Sequence, residues 1–133
     1  MNYQIELIDP YDIRATEHHM PEKIPALKDK ILKEQSWSVP VVVEKYSYIL
    51  MDGHHRLETA KSLGLKYIPA VLLDYTEVRV ESRRPEIDIT PDDIIRRGLT
   101  GDIYPAKTTR HIFPYDFKCF LALDDLGLAS KAA

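Results

Sequence analysis

The segment from Asp52 to Arg56 concentrates side chains that could handle a phosphate group. Its five residues are an aspartate, a glycine, two histidines and an arginine, and they follow an apolar run that ends at Met51. The first turn of a helix leaves backbone N–H groups unpaired and carries the positive end of the helix dipole, and both hold an anion. An arginine adds a planar set of donors that matches phosphate oxygens. The segment therefore predicts a phosphate site at a strand-to-helix junction.

Each residue of this segment has a candidate role. We predict that Gly53 lets the backbone approach a ligand, that Arg56 contacts phosphate, and that Asp52 contacts a metal ion or a reacting hydroxyl. His54 and His55 are adjacent, so they point to different faces of a helix and lack the i, i+4 spacing of a zinc pair. The alternative is a turn whose glycine serves only the backbone and whose charges face water.

A second candidate is Glu17, which lies beside Thr16, His18 and His19 in a polar stretch near the N-terminus. A carboxylate in a loop that folds over the phosphate segment could act as general base on a substrate hydroxyl, provided that it comes within hydrogen-bonding reach. The alternative is a solvated loop acid with no chemical role.

The third candidate is the run Lys107, Thr108, Thr109, Arg110 and His111. A lysine and an arginine that flank two hydroxyls offer a point charge, a planar fork and short donors, which together suit a polyphosphate. The alternative is an exposed polar strand with alternating side chains.

The bulk composition favours a small mixed domain. With 133 residues, of which 44% are hydrophobic, residues 1–133 fit one domain, with a core over about 3–114 and a tail at 115–133 whose weak apolar spacing predicts a helix. The net charge is −3 and the charges are interspersed, so we expect no nucleic-acid partner. The single cysteine, Cys119, lies among apolar residues, so we expect a buried and inert thiol.

No segment has the features of a signal peptide, and the apolar runs are far shorter than the ~20 residues that span a bilayer. We therefore expect a soluble, cytoplasmic protein without a membrane partner. The oligomeric state stays open.

Periodicity and turn signals predict the elements that position the three candidates. Helical spacing predicts helices over about 22–34, from 54 to a stop at Gly64, and over 91–98, the last with Thr90 as N-cap. Apolar runs predict strands at 3–8 and 68–73, a hairpin from 40–43 and 48–51, an extended segment at 77–80 that could join the sheet, and another at 103–114. The fold class is therefore mixed α/β.

The run Pro40–Val43 followed by Ile49–Ala60 resembles the ParB/sulfiredoxin superfamily, whose partitioning proteins bind nucleotide phosphates with a Gly-x-x-Arg box. Together with Glu17 and the segment 107–111, it is similar to the free L-serine kinases of that superfamily. The resemblance covers about residues 3–114 and implies a compact ParB/sulfiredoxin-like domain, with a small mixed sheet flanked by helices.

The resemblance also implies roles for individual residues. Glu17 matches the base for the serine hydroxyl, Asp52 matches a second essential carboxylate, and His54, His55 and Arg56 lie beside the transferring phosphate. The segment 107–111 would complete the pocket, with Thr109, Arg110 and His111 at the substrate. The implied reaction is in-line phosphoryl transfer from ATP or ADP to free L-serine, which gives O-phospho-L-serine, with Mg²⁺ on the polyphosphate and Asp52 as its protein contact.

Other functions within the superfamily require features that these residues lack. A DNA-partitioning factor needs a helix-turn-helix region, which we do not expect here. Sulfiredoxin needs a cysteine where this chain has His54, and a nuclease needs a basic surface and clustered carboxylates. A noncatalytic nucleotide-binding regulator remains the main alternative.

Overall fold

The computed structural model describes residues 3–128. It contains three α-helices and eight strands in the order β1 (Glu6–Ile8), α1 (Ile24–Glu34), β2 (Ser36–Trp37), β3 (Val41–Glu44), β4 (Leu50–Asp52), α2 (His54–Ser62), β5 (Ile68–Leu73), β6 (Arg79–Ser82), α3 (Pro91–Thr100), β7 (Thr109–Ile112) and β8 (Leu121–Ala122). The predicted mixed α/β class is confirmed.

A four-stranded mixed sheet forms the centre of the fold, in the order β1-β5-β3-β4. β3 runs parallel to β5 and antiparallel to β4, which confirms the predicted hairpin. All four residues of β3 are buried: its three valines pack against neighbours on both faces of the sheet, and the carboxylate of Glu44 accepts hydrogen bonds from Ser47. α1 and α2 pack on each other beside this sheet. Leu57 of α2 is buried in the same cluster as Val41 and Leu50.

The segment after β5 does not join this sheet. β6 pairs with β7 as a separate antiparallel ribbon, in which Ser82 lies opposite Thr109. The polar run at 107–109 is thereby placed beside the end of β6. α3 lies between these two strands in sequence, and its Ile94 packs in a buried cluster with Ile49 and Tyr104.

The helix boundaries follow from capping chemistry. Thr90 caps α3, since its side chain accepts a hydrogen bond from the backbone N–H of Asp93 at 3.2 Å, and Gly101 ends the helix in a left-handed conformation with φ 82°. α3 therefore runs two residues beyond the predicted 91–98. A 3₁₀ turn at 21–23 leads into α1, which begins two residues after the predicted start at 22 and ends at the predicted residue 34.

The predicted helical tail is wrong over residues 115–128. This segment contains β8, which pairs with β2, and then a 3₁₀ turn at Leu123–Leu126. Leu123 and Leu126 are buried in the main core, so the core extends past the predicted boundary near 114. The tail adopts this path because its backbone pairs with distant residues, as in the bond from Cys119 N to Ser38 O at 3.0 Å. Residues 129–133, the rest of the predicted helix, lie outside the described residues.

Two further observations concern the single cysteine and membrane-spanning helices. Burial raises the pKa of the Cys119 thiol to about 11, in keeping with the predicted inert side chain. Within residues 3–128, no helix is long and apolar enough to cross a membrane.

Candidate active site

A cavity of about 280 Å³ lies where the end of β4, the loop around Glu17 and the loop before β7 meet. This volume is near the lower end for small-molecule sites. It is mainly polar, and it brings together residues from all three candidate segments. Those that line it are Glu17, Asp52, Gly53, His54, His55, Arg56, Lys107 and Thr109.

The carboxylate of Glu17 is held by the loop that leads into β7. Its Oε2 accepts hydrogen bonds from Thr108 N at 3.3 Å, from Thr109 N at 3.0 Å and from the Thr109 hydroxyl at 3.0 Å. Its Oε1 accepts one from Lys107 N at 3.3 Å. Three successive backbone N–H groups can converge on one carboxylate because Lys107 is left-handed, with φ 58°. We call residues 107–109 the Glu17 cradle.

The two histidines of the 52–56 segment hold the other side of the Glu17 loop. His54 Nε2 accepts from Thr16 N at 3.1 Å and from Glu17 N at 3.2 Å. His55 Nε2 accepts from Met20 N at 3.0 Å. We predicted both rings beside a transferring phosphate, but each directs this nitrogen to the loop backbone. The structure therefore supports a positioning role for them.

The ring of His54 has the charge state that this role needs. Burial, followed by the nearby histidines, lowers the pKa of His54 from 6.5 to about 3, so the ring is neutral near pH 7. A neutral imidazole offers one acceptor nitrogen, whereas the protonated ring offers none. Burial also lowers the pKa of His55, with Lys23 as the next cause.

Asp52 is the exposed carboxylate of the cavity. Surrounding protein atoms raise its pKa above 3.8, although Arg56 and the backbone N–H of Gly53 favour the charged form. The negative charge of Glu17 is a further cause of the raised pKa, so the two carboxylates repel each other electrostatically. A carboxylate whose pKa is raised gains from binding a cation or a proton.

Gly53 lies at the start of α2 with φ 109°, a conformation that favours glycine. A Cβ at this position would lie 2.6 Å from Val41 Cγ1. The requirement for glycine therefore comes from packing against β3, not only from the predicted approach of a ligand. As the N-cap of α2, Gly53 has no side chain that could accept a hydrogen bond from the first turn, and both Gly53 and Arg56 line the cavity.

A family model described as "ParB N-terminal domain" matches residues 1–82. The chain belongs to the ParB N-terminal domain family. The match includes β1 to β6 and thus the Glu17 loop and the 52–56 segment. The cradle at 107–109 lies beyond it.

Curated relatives of this ParB N-terminal domain carry two kinds of description. A "ParB-like protein" of Sulfolobus acidocaldarius is 37% identical over 98 residues, which are 74% of this chain and 49% of the relative. An "ATP-dependent L-serine kinase" of Desulfurococcus mucosus is 34% identical over 87 residues, which are 58% of this chain and 34% of the relative. The chain thus spans half or less of the length of these relatives.

Solved structures resemble this ParB N-terminal domain over nearly its whole length. A free serine kinase in complex with AMP has a TM-score of 0.82 at 16% identity and covers 93% of both chains. A C-terminally truncated SbnI from Staphylococcus aureus has a TM-score of 0.80 at 13% identity and covers 96% of this chain and 90% of that one. These likenesses confirm the predicted fold.

Three residues of the predicted 107–111 site do not line the cavity. Thr108 is buried and serves the cradle through its backbone. Arg110 is exposed, and its Nη1 lies 3.8 Å from Glu81 Oε2. His111 lies on the same face of β7 as Thr109 but two residues further along the strand, where its Nε2 is hydrogen-bonded to the Tyr75 hydroxyl at 2.8 Å.

The cavity of this ParB N-terminal domain also contains residues that the sequence reasoning missed. His18, Lys23 and Arg83 line it. Lys23 lies in the 3₁₀ turn before α1, and Arg83 follows β6. Neither stands in a recognisable motif, so only the pairing of β6 with β7 places Arg83 at the site.

Proposed function

We propose that this chain transfers a phosphoryl group from ATP or ADP to the side-chain hydroxyl of free L-serine, giving O-phospho-L-serine. The observation that carries the proposal is the charge arrangement of the cavity. Two carboxylates, Glu17 and Asp52, share the cavity wall with twice as many lysine and arginine side chains, beside neutral and apolar residues. In a chain with net charge −3, this local excess of positive charge favours an anionic ligand.

The cations are free to serve a ligand. Within residues 3–128, no carboxylate lies within ion-pair distance of any of the four cations that line the cavity, which are Lys23, Arg56, Arg83 and Lys107. Arg56 lies in the first turn of α2, where the helix dipole adds to its charge. Nucleotide phosphates and the carboxylate of an amino acid would both find partners here.

Glu17 is the proposed base. Oε2 is fully engaged by the cradle, whereas Oε1 accepts one hydrogen bond, from Lys107 N. Oε1 therefore keeps a lone pair that can take the proton of the serine hydroxyl as the serine oxygen attacks the terminal phosphorus, while the bond from that phosphorus to the bridging oxygen breaks and ADP (from ATP) or AMP (from ADP) leaves. Most of the rate enhancement in phosphoryl transfer comes from such positioning and from neutralised charge.

Asp52 is the proposed contact for Mg²⁺. Within residues 3–128, no group of three or more histidine, cysteine or acidic residues could by itself enclose a metal ion. Mg²⁺ suits such a site when the substrate phosphates supply further ligands, since it commonly binds through one or two carboxylates and phosphate oxygens. When bound to Asp52, it would neutralise charge on the polyphosphate.

The relatives support the acceptor and the donor. Two curated relatives are described as ATP-dependent L-serine kinases, and structures of free serine kinases with the same fold hold AMP or ADP. The "ParB-like protein" relative favours the second candidate, a regulator that binds nucleotide without turnover.

Phosphorus NMR distinguishes the two candidates. The 133-residue chain is incubated with Mg²⁺, L-serine and either ATP or ADP, with D-serine and L-alanine as control acceptors. A new O-phosphoserine resonance that forms with L-serine, and no product resonance with either control acceptor, supports the kinase. Nucleotide binding without product from serine, threonine or homoserine supports the regulator instead.

A further inference from the structure

Arg84 holds the loop that forms the Glu17 cradle. Its Nη2 donates to the Ala106 carbonyl at 2.6 Å, and its Nε donates to the Thr108 hydroxyl at 3.1 Å. The side chain thus bonds to the loop on both sides of Lys107. It does so from the segment after β6, outside the cavity wall.

Further hydrogen bonds hold both Arg84 and the loop in place. The Thr108 hydroxyl also donates to the Pro105 carbonyl at 2.6 Å, so it is bonded as donor and as acceptor. Arg83 N donates to Thr108 O at 2.8 Å. Arg84 itself is fixed by Ser82, whose hydroxyl donates to Arg84 O at 2.8 Å. Thr108 is fully buried, so the loss of Arg84 would leave its hydroxyl oxygen without this hydrogen-bond donor.

The loop that Arg84 bonds to at Ala106 and Thr108 presents the N–H groups of residues 107–109 to Glu17. Lys107 must keep its left-handed conformation for the N–H groups of residues 107–109 to converge on the carboxylate. A left-handed conformation is strained for residues other than glycine, so the surrounding structure has to hold it in place. The bonds from Arg84 to Ala106 and Thr108 bracket this residue.

We propose that Arg84 is a positioning residue for the base: it fixes the cradle and thereby aims the Glu17 carboxylate, without touching substrate. The inference rests on the proposed kinase function. It predicts that the loss of Arg84 slows the transfer step much more than it weakens nucleotide binding, because Arg56 and the start of α2, which also face the phosphates, belong to another element.

Three variants test this inference. Arg84→Ala removes both bonds. Arg84→Lys keeps a positive donor that can reach the Ala106 carbonyl but cannot reproduce the planar donation to Thr108. Arg79→Ala is the matched control, since Arg79 is an exposed arginine on β6 whose side chain pairs with Glu81.

We expect Arg84→Ala to lower kcat by roughly 10–100-fold, as small misplacements of reacting groups do, with a much smaller change in the nucleotide Kd. Arg84→Lys should lie between it and the wild type, and Arg79→Ala should match the wild type. A variant that only destabilised the fold would not separate kcat from nucleotide affinity in this way. Full kcat in Arg84→Ala would overturn the inference while the kinase function stands.

Amide hydrogen exchange tests the cradle without any activity. The amides of Lys107, Thr108 and Thr109 should exchange faster in Arg84→Ala than in wild type or Arg79→Ala, while the amides of α2 stay unchanged. Unchanged exchange of these three amides would also overturn the inference. If no variant, including wild type, makes phosphoserine, the proposed function fails and the exchange result alone decides whether Arg84 fixes the cradle.

Discussion

Thr109 donates twice to the same oxygen of Glu17, once from its backbone N–H and once from its hydroxyl, each at 3.0 Å. The two residues are 92 positions apart, yet this double contact joins the N-terminal loop to β7. It leaves Oε1 as the oxygen of Glu17 that can meet a substrate. The base and the loop that aims it therefore form one unit, and the predictions below test its parts.

Thr109→Val should lower turnover by about tenfold, because it removes the hydroxyl donor but keeps the shape and the backbone N–H. A hydrogen bond to a charged group contributes roughly 1.5–3 kcal/mol, and the remaining donors of the cradle offset part of that loss. Steady-state kinetics with serine measure the effect. Thr76→Val, at an exposed position, is the control. Equal turnover in both variants would show that the hydroxyl does not orient the base.

The stability of the protein should fall as the pH drops below about 6.5. The folded-state pKa of His54 is lowered to about 3 and that of His111 to about 4, both by burial first. The unfolded chain takes up these protons below its own pKa of about 6.5 and the folded chain does not, so each histidine costs about 1.4 kcal/mol per pH unit there.

Urea midpoints between pH 7 and pH 5 measure this dependence. His54→Gln keeps an acceptor oxygen near the Thr16 and Glu17 N–H groups but cannot be protonated in this range. The pH slope should therefore decrease in His54→Gln by about the contribution of one histidine. An unchanged slope would mean that His54 is not a buried neutral acceptor.

Asp52 should titrate above the ordinary aspartate range, since surrounding protein atoms disfavour its charge. Carbon-13 NMR of the side-chain carboxyl groups follows this titration, with Asp52→Asn to assign the signal. Arg56→Ala should raise the midpoint further, because Arg56 favours the charged carboxylate. Added Mg²⁺ with nucleotide should lower it. A midpoint at or below 3.8 in the wild type would contradict this view of Asp52.

Gly98→Ala should destabilise the fold, although alanine is the better helix former by about 1 kcal/mol. A Cβ at Gly98 would meet the side chain of Ile49 at 2.5 Å and that of Thr16 at 3.1 Å. Overpacking of this kind costs typically 1–3 kcal/mol, and the strain would fall on the residue before Glu17. Thermal unfolding measures it, with Leu99→Ala at an exposed site as control. A raised Tm in Gly98→Ala would show that the α3 contact is loose.

Local signals in the sequence predicted much of the fold. The hairpin of β3 and β4, the start of α2 after Gly53 and the cap at Thr90 all arise from neighbours within a few residues, so periodicity and capping rules find them. The prediction of a helical tail is wrong because the conformation of this segment is set by the pairing of β8 with β2, more than 80 residues earlier.

The candidate site divides in the same way. Residue types and motifs brought Glu17, Asp52 and the 107–109 segment to attention, but they could not show which atoms meet. Whether His54 faces a phosphate or a backbone N–H depends on the path of a loop 37 residues away in sequence. Arg84 has no local signal at all, since its partners become visible only when β6 pairs with β7.

Phosphoserine formation by Glu17→Gln, followed by phosphorus NMR beside nucleotide titrations of the same sample, tests the account most directly. Glutamine keeps one oxygen for the Thr109 donors, so the loop stays anchored, but its amide cannot accept the serine proton. The account predicts an unchanged nucleotide Kd and turnover lowered by at least about 100-fold, as expected for loss of a general base. Wild-type turnover in Glu17→Gln would contradict the assignment of Glu17 as the base.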